Sequence, residues 1–184
     1  MKTLKNTIKS IVAIITIVTA TSSANAQMSP YKFEQVFNQA FAQVVEGNHK
    51  AALPLLERLH ASDSEHGQVQ YLFALTRIKM GNNAGKTVEL LEKAAKSFSF
   101  YHHSGRSTDR TAPVTAWLHL ANAYAKEYSY DKAIDAYRNY MTCIPMASLD
   151  VKREVIEKIK KLKFQKLAAQ STDLSSNQLA SLNP

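Results

Sequence analysis

The sequence holds a single cysteine, Cys143, in 184 residues. A lone thiol closes no internal disulfide, so an apolar core must hold the fold without staples. Cys143 follows Tyr140 at helical spacing, and no motif sets a base beside it, which predicts a buried structural thiol and not a nucleophile. Glycine and proline are scarce, five of each. So few turn-formers argue against a protein of many hairpins and favour long helices with short connections. Long apolar runs are missing as well. The segment Ile11 to Ala20 is far short of the ~20 residues that a spanning helix needs. There is no glycine-rich phosphate loop, no spaced set of Cys or His, and no hydrolase-type Ser motif. No catalytic residue, cofactor or metal is therefore expected. Glu89, Glu92, Asp131 and Asp135 recur at helical spacings beside lysines, as a solvated helix surface does.

What is present begins with a basic, then apolar, N-terminus. Lys2, Lys5 and Lys9 precede the run Ile11–Ala20, and Ala24-Asn25-Ala26 offers the small residues that a signal peptidase accepts. Residues 1–26 are predicted to be a cleaved signal peptide, leaving Gln27 as the mature N-terminus. Loss of its three lysines lowers the formal net charge from +8 to +5. The segment Lys152–Lys166 alone carries +5, from seven basic residues against Glu154 and Glu157. The basicity is local, so a nucleic-acid partner is not expected.

The strongest pattern is Trp117-x-x-Leu120-Ala121-x-x-Tyr124, followed by Ala133-x-x-x-Tyr137 and Pro145. Trp117, Leu120 and Tyr124 share one helical face. Ala121 and Ala133 are small where two antiparallel helices must cross closely. Tyr137 fills the space below them, and Pro145 ends the second helix because it lacks an amide donor. In type and spacing this resembles the tetratricopeptide repeat, a helix–turn–helix unit of 34 residues. Weaker copies precede it. Residues 33–66 hold Val36, Phe37, Ala40, Phe41 and Val44 before a turn at Gly47-Asn48, then Ala52, Leu56 and Leu59. Residues 67–97 hold Tyr71, Phe73, Ala74 and Ile78 before Gly81-Asn82-Asn83, then Leu91 and Ala94, with one extra residue near Gly85. The first two copies are spaced by 34 residues and the last, at 114–147, by 47. The surplus is an insertion over 98–113, in which His102-His103 is read as surface loop because no ligand lies at metal-binding spacing.

After Pro145, Val151, Val155, Ile159 and Leu162 make a narrow apolar stripe. It predicts a helix over 148–170 that caps the last repeat. Residues 171–184 are rich in Ser, Asn and Gln and are expected to be disordered. The fold predicted is an all-α solenoid of three helix pairs and a capping helix, occupying 27–170.

The interrupted spacing before Ala112-Pro113, the Trp117–Pro145 motif and the basic helix with Val155-Ile156-x-x-Ile159 together resemble the N-terminal repeat region of OmpA-family envelope proteins of the Bacteroidetes type. The resemblance covers most of 33–168. It implies a periplasmic or outer-membrane-associated role in envelope assembly or secretion. In that family a β-propeller and a peptidoglycan-binding domain follow. Neither follows Pro184 here, so no peptidoglycan-binding residues are carried over.

Two function classes fit. One is a non-catalytic protein–protein interaction module with a protein or peptide partner in the cell envelope. The other is an electrostatic anchor, peripheral to an anionic membrane or cell-wall polymer, through helix 152–166. For the first, the resemblance to tetratricopeptide repeats implies a concave face lined by the first helix of each pair. It selects Phe37, Phe41 and Val44, then Tyr71, Leu75 and Ile78, then Leu118, Asn122 and Lys126. That groove would be apolar at one end and polar with one cation at the other, suited to a peptide with apolar anchors and an acidic group.

Overall fold

A computed structural model describes residues 27–82, 84–144 and 149–181. Seven helices follow in order: α1 (Pro30–Val45), α2 (His49–Ser62), α3 (Gly67–Lys79), α4 (Lys86–Lys96), α5 (Thr115–Lys126), α6 (Tyr130–Cys143) and α7 (Leu149–Ser181). No strand forms among the described residues. The only extended pairing there is an isolated bridge between Phe98 and Ala112. The architecture is the all-α solenoid of three helix pairs with a final capping helix.

Local chemistry sets the helix ends. Ser29 Oγ accepts the Lys32 amide at 3.4 Å, and Pro30 takes the first helical position, where its missing donor costs nothing. All three pairs turn in the same way. Gly47, Gly81 and Tyr128 have positive φ (79°, 86° and 58°). Their amides bond back to Val44, Ile78 and Ala125, and the next amides reach Gln43, Arg77 and Tyr124. This double bond satisfies carbonyls left open at a helix end. The three turns are spaced by 34 and then 47 residues, as the repeat pattern is. Tyr128 holds without strain relief a conformation that glycine supplies in the other two pairs.

Each helix packs on its chain neighbour, and α1 also touches α3. Ala40, Ala52, Ala74, Ala94, Ala121 and Ala133 are wholly buried and let the helices approach. Phe37, Leu56, Leu59, Phe73 and Leu91 fill the space around them. Leu120, Tyr124 and Tyr137 are also core. Trp117, on the same helical face as Leu120 and Tyr124, is less enclosed than they are. It packs against the core from a partly buried position, and one edge lines a surface cleft with Glu92, Lys96 and Lys132. Cys143 is likewise only partly buried.

On α7, Val155, Ile159 and Leu162 are buried while Val151 is 38% exposed. The helix lies on α6, and Lys166 Nζ donates to Asp131 Oδ1 at 2.6 Å. It continues to Ser181, so the stretch after 170, expected to be disordered, is helical as far as that residue. The predicted signal peptide and Pro145 lie outside the described residues.

Candidate functional site: a cleft between the first helices

The insertion decides where a ligand can go. It folds back over α1 and the start of α3. Arg110 pairs through both guanidinium nitrogens with the Asp63 carboxylate, and Gly67 N donates to Arg110 O at 2.8 Å. Gln68 Nε2 donates to His103 O at 3.1 Å, and His66 Nε2 donates to Ser107 O at 2.9 Å. Within the loop, Asp109 accepts from the amides of His103 (2.5 Å) and Thr111 (2.9 Å). Desolvation pushes the Asp109 carboxyl up, but the Thr111 hydroxyl, which donates to it at 2.6 Å, and then these amides outweigh that and hold it well below the usual carboxylate range. The fold also brings Asp109 to 3.7 Å from His102 and 3.6 Å from His103, a neighbour that sequence spacing did not suggest.

This loop closes the apolar end of the expected groove. Phe37 is wholly buried and stacked on Phe41 with centroids 6.2 Å apart. The Cα of Gly105 sits so close to the Phe41 ring that a Cβ would stand 2.9 Å from it. Phe33 stacks on His66 at 5.3 Å, extending the same layer. Phe37 is therefore core and Phe41 is roofed by the insertion. Phe37 thus has no exposed surface to offer a ligand, a correction to its expected place on an open concave face, while Phe41 stays partly exposed. Val44 is partly buried against the same core.

The other end stays open. Ile78 of α3 and His119, Asn122, Ala123, Ala125 and Lys126 of α5 line a cleft of about 410 Å³. Tyr71 packs beside the cleft residue His119: its hydroxyl lies 3.1 Å from Thr115 Oγ1, and its ring lies 5.8 Å from His119. Burial, and after it the cation of Lys79, pushes the His119 pKa down, so the imidazole is neutral near pH 7. Asn122 Oδ1 accepts the Tyr137 hydroxyl at 2.6 Å. That bond fixes the amide and turns its NH₂ group into the end left for an acceptor. It also ties Asn122 to the repeat core, a link that its position outside the packing motif concealed. Lys126 is exposed at the rim.

Of the residues nominated from sequence, Ile78, Asn122 and Lys126 meet in this one cleft and Tyr71 borders it. Leu75 and Leu118 are partly buried and outside its lining. His119 was missed, although its spacing to Asn122 and Lys126, three and seven residues, is that of one helix face. Among the described residues no group of three His, Cys, Asp or Glu side chains is placed to hold a metal.

No protein-family model matches the chain, and no curated protein matches it in sequence. Among solved structures it is similar to the type III secretion chaperone SycD of Yersinia enterocolitica, in complex with a peptide of the translocator YopD. The TM-score is 0.57 at 15% identity, over 75% of this chain and 97% of that one. The likeness supports a tetratricopeptide-like helical repeat fold and gives no support to the OmpA-family resemblance.

Proposed function

We propose that this protein is a non-catalytic peptide-binding module of the cell envelope that holds a segment of a partner protein in the cleft between α3 and α5. The observation that carries this is the cleft itself. Apolar Ile78 and Ala125 stand beside the Asn122 amide and the Lys126 ammonium, on a stretch of the first-helix face that the insertion does not cover. Such a surface fits an extended segment with a short apolar anchor followed by an acidic group. The structurally similar SycD is a chaperone seen with a translocator peptide, which supports a peptide partner as the class. The envelope location rests on the basic, apolar and small-residue pattern of residues 1–26.

Selection from a displayed random-peptide library tests the reading. Selected peptides should share an apolar residue followed by an acidic one, and should slow amide exchange at Ala123–Lys126. Ala125→Arg, which fills the cleft, and Lys126→Glu, which reverses its rim charge, should each weaken them about tenfold or more at unchanged melting temperature. Peptides that protect α2, α4 or α6, and bind both variants as well as the parent, would refute it.

A further inference from the structure

The sequence carries one apolar stripe on the last helix, and the structure consumes it: Val155, Ile159 and Leu162 are buried on α6. The folded helix has a second stripe. Leu149, Ile156, Phe164 and Leu167 are 62%, 40%, 74% and 65% exposed. At 100° per residue they fall within about 80° of one another, roughly 120° away from the buried stripe. Cations occupy the same sector. Arg153 and Lys160 lie between these apolar side chains and Lys163 at their edge, with Arg153 75% and Lys160 66% exposed. Arg153 and Lys160 have partners, Asp150 at 3.0 Å and Glu157 at 2.7 Å, but these are open surface pairs that contribute little. From 149 to 171 seven basic residues stand against three acidic ones.

We propose that this outward face of α7 docks the protein peripherally on an anionic lipid surface. Three observations select that occupant. Most of the face, Leu149, Ile156 and Phe164, stands outward at the end of the solenoid, and only Lys163 and Leu167 at its edge turn towards a cleft with α6, so it matches a plane and not an inserted peptide. Its large apolar side chains are interleaved with cations, which lets Phe164 and Leu167 enter the acyl boundary while Lys160 and Lys163 meet phosphates. A second copy of the same face would bring Arg153, Lys160 and Lys163 against like charges, which opposes a symmetric dimer there. No helix among the described residues is long and apolar enough to cross a membrane, so attachment by this face is peripheral. It lies on a different helix from the cleft between α3 and α5 and leaves that cleft free.

The test is sedimentation of the full chain with vesicles of phosphatidylglycerol and phosphatidylethanolamine, and with phosphatidylcholine vesicles alone. Parent and variants carry the same N-terminal segment, so a difference between them reads α7. The parent should partition onto anionic vesicles, and raising salt from 0.05 to 0.5 M should release it. Phe164→Ser with Leu167→Ser, and separately Lys160→Glu with Lys163→Glu, should each lower the partition coefficient about tenfold or more. Both double variants alter only exposed side chains, so their melting temperatures should match the parent's and library-selected peptides should still bind. Equal partitioning of parent and variants, or equal binding to neutral vesicles, overturns the proposal. So does a concentration-dependent dimer that Phe164→Ser with Leu167→Ser dissolves, which would make the face a self-interface.

Discussion

Gly67→Ala should loosen the insertion from the repeats. A Cβ on Gly67 would stand 2.0 Å from Ser97 Oγ, 2.9 Å from Ser97 Cβ and 2.8 Å from the carbonyl oxygen of Arg110. The Ser97 hydroxyl can rotate away at the loss of its 3.0 Å bond to Ala94 O. The other two atoms cannot, because Ser97 ends α4 and Arg110 O already accepts the Gly67 amide at 2.8 Å. Three pieces of chain meet at this glycine: the start of α3, the end of α4 and the returning limb of the insertion. Forcing a methyl group among them costs about 1–3 kcal/mol, and loss of the Gly67–Arg110 bond about 0.5–1.5 kcal/mol more. Alanine recovers at most about 1 kcal/mol of helix propensity, and less at a helix's first residue. The net loss is about 1–4 kcal/mol, a fall of several degrees or more in melting temperature for a domain of this size. The insertion can lift away without unfolding the helices, so hydrogen exchange resolves the effect better than a global melt. Amides of Gly67, Ser99 and Ala112, which carry the junction's backbone bonds, should lose the most protection. Unchanged exchange there together with an unchanged urea midpoint would refute the packing argument.

Other expected outcomes follow from the cleft, the buried histidines and the N-terminus. Asn122→Ala should cost about 1–3 kcal/mol in urea unfolding, because it strands the buried Tyr137 hydroxyl. Adding Tyr137→Phe should recover most of that loss, and full additivity of the two changes would refute the link. Burial holds the pKa values of His66 and His102 below the ordinary 6.5. The unfolded chain therefore takes up protons first as pH falls through 6.5, so stability should be level above that pH and decline below it towards 5. Asp109, also depressed, should extend the decline below about pH 4. A melting temperature that is flat from pH 7.5 to 5 would contradict the histidine assignment. Protein recovered from the periplasm should have the mass of a chain beginning at Gln27, and an intact Met1 species there would remove the export reading.

The helix pairs, their turns and their crossings were determined by sequence alone because each depends on near neighbours. Gly47 and Gly81 mark turns by backbone conformation, Ala121 and Ala133 mark crossings by size, and 34-residue spacing carries the register from one pair to the next. The polar end of the proposed binding face was readable for the same reason: Asn122 and Lys126 share a helix side with His119. The closed end was not. Whether Phe37 and Phe41 face a ligand or lie under protein depends on the path of residues 98–113. That path is set by contacts between distant segments, Asp63 with Arg110, His66 with Ser107 and Gly105 with Phe41. No periodicity runs through those pairs. Trp117 shows the same division, since its helix and phase follow from spacing while its open edge depends on how α4 and α6 flank it. On α7 the sequence analysis picked out one apolar stripe among many lysines. Only packing on α6 decided that Val155, Ile159 and Leu162 turn inward and that Ile156, Phe164 and Leu167 are left to the outside.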